Sequence, residues 1–290
     1  MLYKFCKWFT AICLPLFFIH GDVQSTEAPL VLVSVEPYTF LVERIAGNTV
    51  RAQSLVPPTA DIHTYEPTPQ QMMRANGADL WFRLGETFET KALPALQAAN
   101  PSLEVIDLRT GLDLIREHVA CAHCQHNHGE DLHLWLSARM LQPQAIRVAE
   151  VLIQKYPQHE ALYRDHLKQH LQELQALDRD LAQILTPLRG QRILVGHPAY
   201  GYLFRDYGLE QLPIEQEGRD PTGWKQTRLI QYARQHKVKA VYTQAQFSPK
   251  AASLIAQQLH VPVITLDPFK RDYLQNLRHV AQQFATPNQR

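Results

Sequence analysis

The chain has 290 residues, of which 45% are hydrophobic and 20% charged, enough apolar content for a sizeable core and too much for a disordered chain. Its 29 basic and 28 acidic side chains nearly cancel, and no Lys/Arg run exceeds two residues. A basic face that neutralises phosphates is therefore not the organising feature, and no nucleic-acid partner is expected.

The chain starts with Lys4 and Lys7 ahead of an apolar stretch that closes on Gly21 and Ser25. This is a secretory signal layout, placed at residues 1–25, and its apolar run is too short for a membrane helix of roughly 20 residues. The protein is expected to be exported to the periplasm or another extracytoplasmic space. Removing the signal takes two basic residues and one acidic residue, Asp22, and leaves the charges balanced.

The body alternates strands and helices. A β-branched run at 30–35 reads as a buried parallel strand, followed by a helix at 38–46 that stops at Gly47. Strands at 50–56, 79–84 and 103–108 alternate with helices at 70–77 and 87–100. The pattern then returns: strand 193–196, helix 200–207, strand 212–215, helix 224–236, and strands 240–243 and Val263–Leu266. Pro37 and Gly47 match Pro198 and Gly208 at one shared offset. Repeated βα units imply an α/β fold of two similar lobes with mainly parallel sheets. Between them Leu167, Leu171, Leu174, Leu181, Leu185 and Leu188 form one apolar stripe over 159–188, predicting a stiff connecting helix on the order of 40 Å long. The expected organisation is an N-terminal lobe at 26–155, the helix at 156–189 and a C-terminal lobe at 190–290.

Histidine is the compositional outlier, with 14 in the chain, and neutral imidazole is the commonest metal ligand. His63 lies in a Pro-rich loop after the second strand. His133 lies in Asp131-Leu-His-Leu-Trp, His197 directly follows a strand, and Asp267 follows the last strand. Ligands in open parallel sheets bind beyond the carboxyl ends of strands, and His63, His197 and Asp267 fit that edge. Two candidates come from each lobe, which suits a cation held in the cleft between them. Glu66, close to His63, is a weaker candidate, and Trp135 and Tyr200 are expected to pack around the cleft. His166 and His170 sit four apart on the long helix, a spacing that an exposed helix face also carries without function.

These motifs carry a resemblance. His63-Thr-Tyr-Glu-Pro-Thr-Pro with Ala78-Asp-Leu-Trp-Phe, His133-Leu-Trp-Leu-Ser, His197-Pro-Ala-Tyr-Gly-Tyr with Asp206-Tyr-Gly-Leu, Ile214-Glu-Gln-Glu-Gly-Arg-Asp-Pro-Thr and Leu266-Asp-Pro together resemble the zinc/manganese-specific solute-binding proteins of ABC importers, in their long-helix cluster. The resemblance spans nearly the whole mature chain. It implies two α/β lobes around one backbone helix, a metal between them, a membrane permease of an ABC importer as partner, and His63, His133, His197 and Asp267 as ligands. Leu132 stands where the family commonly has Pro, a change of loop shape rather than of ligand. The working form is expected to be a monomer.

Three imidazoles and one carboxylate make a borderline-soft set that favours zinc, with manganese or iron as the alternative. In the manganese-type members of the family the third ligand is typically Glu, whereas here it is His197. A second His/Cys-rich stretch holds His118, Cys121, His123, Cys124, His126 and His128, and composition alone reads it as a weaker secondary metal site. Cys121 and Cys124 equally suit a disulfide in an oxidising compartment. Four protein ligands leave no open position for catalytic water, and no His-Glu-x-x-His or nucleophile elbow is present, so the expectation is a binding protein and not an enzyme. An extracellular metal buffer or adhesin without a transporter is the alternative role.

Overall fold

The computed structural model describes residues 27–116, 129–215, 221 and 223–288. The signal-like segment 1–25 and the His/Cys stretch His118, Cys121, His123, Cys124, His126 and His128 lie outside the described residues. Among the described residues no helix is long and apolar enough to cross a membrane.

Two four-stranded sheets form the frame. The first contains β1 (Leu30–Val33), β2 (Arg51–Ser54), β3 (Ala78–Arg83) and β4 (Glu104–Asp107) in the order β2-β1-β3-β4. The second contains β5 (Arg192–Val195), β6 (Glu210–Pro213), β7 (Val241–Gln244) and β8 (Val263–Leu266) in the order β6-β5-β7-β8. Every pairing is parallel, and the two orders are the same when the strands are counted from the start of each sheet. The repeat inferred from Pro37/Pro198 and Gly47/Gly208 is therefore a repeat of topology. All four side chains of β1 are buried because helices cover both faces of the sheet, as a parallel sheet requires.

Helices α1 (Glu36–Ala46), α2 (Pro69–Ala75) and α3 (Thr87–Ala99) serve the first sheet. Helix α4 (Ala138–Lys155) leads into the connecting helix α5 (Glu160–Leu185), and α6 (Gly201–Tyr207), α7 (Trp224–Gln235), α8 (Lys250–Leu259) and α9 (Tyr273–Asn288) follow. The strands are shorter than their apolar runs: β1 stops at Val33 because Glu36-Pro37 opens α1, and β2 stops at Ser54 ahead of the Pro57-Pro58 pair. The strand expected at 212–215 starts two residues earlier, at Glu210, paired with Arg192.

The predicted stripe is on the inner face of α5. Leu174, Leu181, Leu185 and Leu188 are buried, Leu167 and Leu171 half-buried, and Tyr163 and Leu177 join them. His170 departs from the exposed-face expectation. It is fully buried, edge-on to Phe40, with Nδ1 at 3.2 Å from Glu173. The helix packs against α1, α4 and α9. Consequently one apolar core runs continuously from β1 through α4 and α5 to Phe284 of α9, and a smaller cluster around Leu194, Val241 and Ile255 fills the far side of the second sheet.

Candidate metal centre

His63 stands in the loop after β2. Asp61 shapes that loop, its carboxylate accepting from the His63 backbone N–H at 2.9 Å and from the Thr64 hydroxyl at 3.0 Å. His197 follows β5, where Gly196 N–H still donates to the Tyr242 carbonyl at 2.7 Å and keeps the chain close to β7. His133 precedes a 3-10 turn, Leu134–Leu136, whose three side chains are buried, with Ser137 capping α4 by accepting from Met140 N–H.

Fold brings the three rings together. His63 Nε2 lies 3.0 Å from His197 Nε2, which lies 3.3 Å from His133 Nε2. Each opposite nitrogen faces a carboxylate: His133 Nδ1 is 2.7 Å from Asp131, His197 Nδ1 is 2.9 Å from Glu215, and His63 Nδ1 is 3.7 Å from Glu86. A carboxylate behind Nδ1 fixes the tautomer with the proton there and leaves the Nε2 lone pair free. Three such lone pairs aimed at one another repel unless a cation sits between them. A tetrahedral zinc ion with Zn–N bonds of about 2.0–2.1 Å needs Nε2 separations of roughly 3.3–3.4 Å, close to the 3.0 and 3.3 Å of the two pairs that meet at His197. The donor set therefore fits a metal ion.

The electrostatics of the rings differ. Burial pushes His197 down to about 4, helped by the neighbouring His133 and His63 rings and resisted by Glu215. His197 is thus neutral and ready to ligate far into the acid range. Burial also opposes charge on His63, but the Glu86 carboxylate, with Asp61 and Glu215, outweighs it and raises His63 above the ordinary histidine value. His63 is also the most accessible ring, with about a third of its side chain exposed (35%) against 8% for His133 and 11% for His197. Phe247 covers the site from the second lobe, stacked on His197 at 4.6 Å and 14°.

Asp267 is not part of the convergent group: the three histidine ligand atoms lie within 4.8 Å of one another, and Asp267 does not join that set. Its Oδ1 accepts from Gln246 Nε2 and from Phe269 N–H, both at 3.0 Å. The same Gln246 amide donates to the Pro58 carbonyl at 2.8 Å, tying the two lobes together beside the site. Glu66 does not support His63. It pairs with Lys91 at 2.6 Å on the exposed surface, and Glu86 takes the place behind the ring. Trp135 and Tyr200 pack as expected, the first donating to the Pro268 carbonyl at 3.0 Å and the second edge-on to Phe284.

The supporting carboxylates were not assigned from sequence. Asp131, two residues before His133, carries a local signal, because an Asp at that spacing can hold both the backbone and the ring of its neighbour. Glu215 and Glu86 reach their histidines only through the sheet topology.

The family described as "ZnuA: Zinc-uptake complex component A periplasmic" matches residues 31–286. This chain belongs to that family. It is 33% identical over 271 residues to a putative metal-binding protein of Chlamydia muridarum, covering 93% of this chain and 95% of the relative. It is 26% identical to the high-affinity zinc uptake system protein ZnuA of Bacillus subtilis, covering 82% of this chain and 77% of the relative. A solved structure described as a crystal structure of ZnuA superposes with a TM-score of 0.84 at 35% identity, covering 90% of this chain and 99% of that one. The two-lobe α/β fold around a long helix read from the sequence is the fold of this family.

Proposed function

We propose that the protein captures Zn²⁺ outside the cytoplasmic membrane and delivers it to the permease of an ABC importer. The observation that carries this reading is the convergence of His63, His133 and His197 through Nε2, each backed by a carboxylate. Imidazole nitrogens and a low coordination number suit zinc, while manganese prefers oxygen-rich surroundings. The family's zinc-uptake description supports the same cargo. Asp267 Oδ2 completes the set in this reading, as a single oxygen. Binding without catalysis accords with a site in which Phe247 and the two lobes enclose the ion.

The protein acts as an exported monomer in this reading, with the lobes placed as 26–155 and 190–290. One stiff helix and a shared core favour a small rearrangement at the cleft over wide closure. His118, Cys121, His123, Cys124, His126 and His128 are proposed, on composition alone, as a weaker second zinc site. Thiol titration with and without zinc tests it, since a pair already oxidised in exported protein cannot supply thiolate ligands.

The deciding experiment is elemental analysis of exported protein purified without added metal, with His197→Ala alongside. One tightly held zinc in the wild type and its loss in the variant are expected. Manganese or iron in place of zinc, or unchanged zinc in the variant, overturns the assignment.

A further inference from the structure

The segment that supplies His197 also builds the seat for the carboxylate behind His133. Asp131 is buried, and its Oδ1 accepts from both the backbone N–H and Nδ1 of His133, at 2.9 and 2.7 Å. Its other oxygen, Oδ2, occupies the space in which a side chain on Gly201 would stand. A Cβ placed on Gly201 would meet Asp131 Oδ2 at 2.6 Å, with Ile115 Cδ1 at 3.3 Å behind it. Gly201 is the first residue of α6 and is not among the positive-φ residues, so the backbone there does not call for glycine. Alanine is the better helix former at such a position, so conformation alone would favour a larger residue. What excludes it is the carboxylate.

The surrounding bonds show how firmly lobe two holds this segment. Tyr202, fully buried, donates to the Asp131 carbonyl at 2.6 Å and accepts from Ile115 N–H at 3.1 Å. Trp135 is tied to the Pro268 carbonyl at 3.0 Å, and the Ser137 hydroxyl donates to Asp206. His133 precedes the connecting helix in the chain, yet its supports come from α6 and the turn after β8. The segment around His133 is therefore fastened to α6, which follows His197, as well as to the first lobe, where the Ile115 carbonyl accepts from Asp131 N–H at 2.8 Å.

We propose that Gly201 is a positioning residue for metal binding: its missing side chain seats Asp131, and Asp131 presets the His133 ring toward His197. This rests on reading the three histidines as the zinc site. An alanine here must displace the Asp131 carboxylate, lengthen its bond to His133 Nδ1 and let the ring turn before metal arrives. Supports behind a ligating histidine typically account for ten- to hundredfold in metal affinity.

The test is a double-mutant cycle read by zinc competition against a chromophoric chelator. Gly201→Ala in the wild-type background is expected to weaken zinc binding ten- to hundredfold. In an Asp131→Ala background, where the carboxylate it strikes is gone, the same change is expected to alter affinity by less than twofold. A second readout does not depend on the Asp131 variant. In zinc-loaded Gly201→Ala protein, the nitrogen-bound Nδ1 proton resonance of His133 is expected to shift upfield or broaden, while that of His197 holds its position. Equal losses in both backgrounds, no loss in the first, or an unmoved His133 resonance overturns the proposal with zinc binding intact. Wild-type protein that takes up no zinc overturns the proposed cargo and this proposal together.

Discussion

The two lobes share a strand order but mount their ligands differently. After β2 the first lobe extends a Pro-rich loop, and His63 stands on it with about a third of its side chain exposed (35%) and its carboxylate 3.7 Å away. After β5, the counterpart of β1 and not of β2, the second lobe presents His197 close to the strand end, 11% exposed, 2.9 Å from Glu215 and under the Phe247 ring. One topology thus carries a buried, carboxylate-backed imidazole at one strand end and an accessible one on a loop at another. Burial holds the His197 ring neutral, while the His63 ring is the one that solvent and protons reach.

The largest effect is expected from removing one histidine on each side. His197→Ala takes a prealigned donor from the pocket. If a full ligand set contributes roughly 10–16 kcal/mol, one donor accounts for about 3 kcal/mol, a hundredfold or more in affinity measured by chelator competition. His63→Ala is expected to weaken binding comparably but to act chiefly on dissociation, so stopped-flow release should quicken by nearly the whole affinity loss. A slower association with unchanged release would reverse the roles assigned to the two sides.

Glu215→Gln tests the carboxylate behind the pocket ligand. Glutamine keeps the size but no longer favours the proton on Nδ1, and a ten- to hundredfold loss of zinc affinity is expected. The equivalent Glu86→Gln, whose carboxylate stands farther from its ring, should cost less.

Acid separates the two histidines by sign. Carboxylates raise His63 above the ordinary value of 6.5, while burial holds His197 near 4. Protons thus compete for His63 first, and they do so already above pH 6.5. Apparent zinc affinity should fall as pH drops through that range, and His63→Ala should flatten the profile there. A profile that breaks only near pH 4 would place the controlling proton on His197 instead. Phe247→Ala, the mildest change, should speed release several-fold through loss of the stacked cover, with the fold's melting temperature unmoved.

What the sequence disclosed follows from which interactions are local. Parallel strands announced themselves as short β-branched runs, and the candidates after β2, β5 and β8 could be named because strand ends are where such sheets bind. Helix α4 was not assigned from the sequence; it continues through Pro143 to Lys155. Helices α8 and α9, before and after β8, were not assigned from the sequence. Glu86 and Glu215 were invisible for a different reason: each meets its histidine only when separate βα units close on the cleft. In space α9 returns to α5, and the segment around His133 is fastened to α6.

Residues Arg116 and Glu130 pair as an antiparallel bridge, and Arg109 reaches Glu130 at 3.5 Å beside it. That clasp, with Asp131 N–H donating to the Ile115 carbonyl at 2.8 Å, anchors the backbone on both sides of Glu130. Asp131 therefore leaves a fixed point of the chain, and the carboxylate behind His133 Nδ1 starts from an anchored backbone rather than a free one.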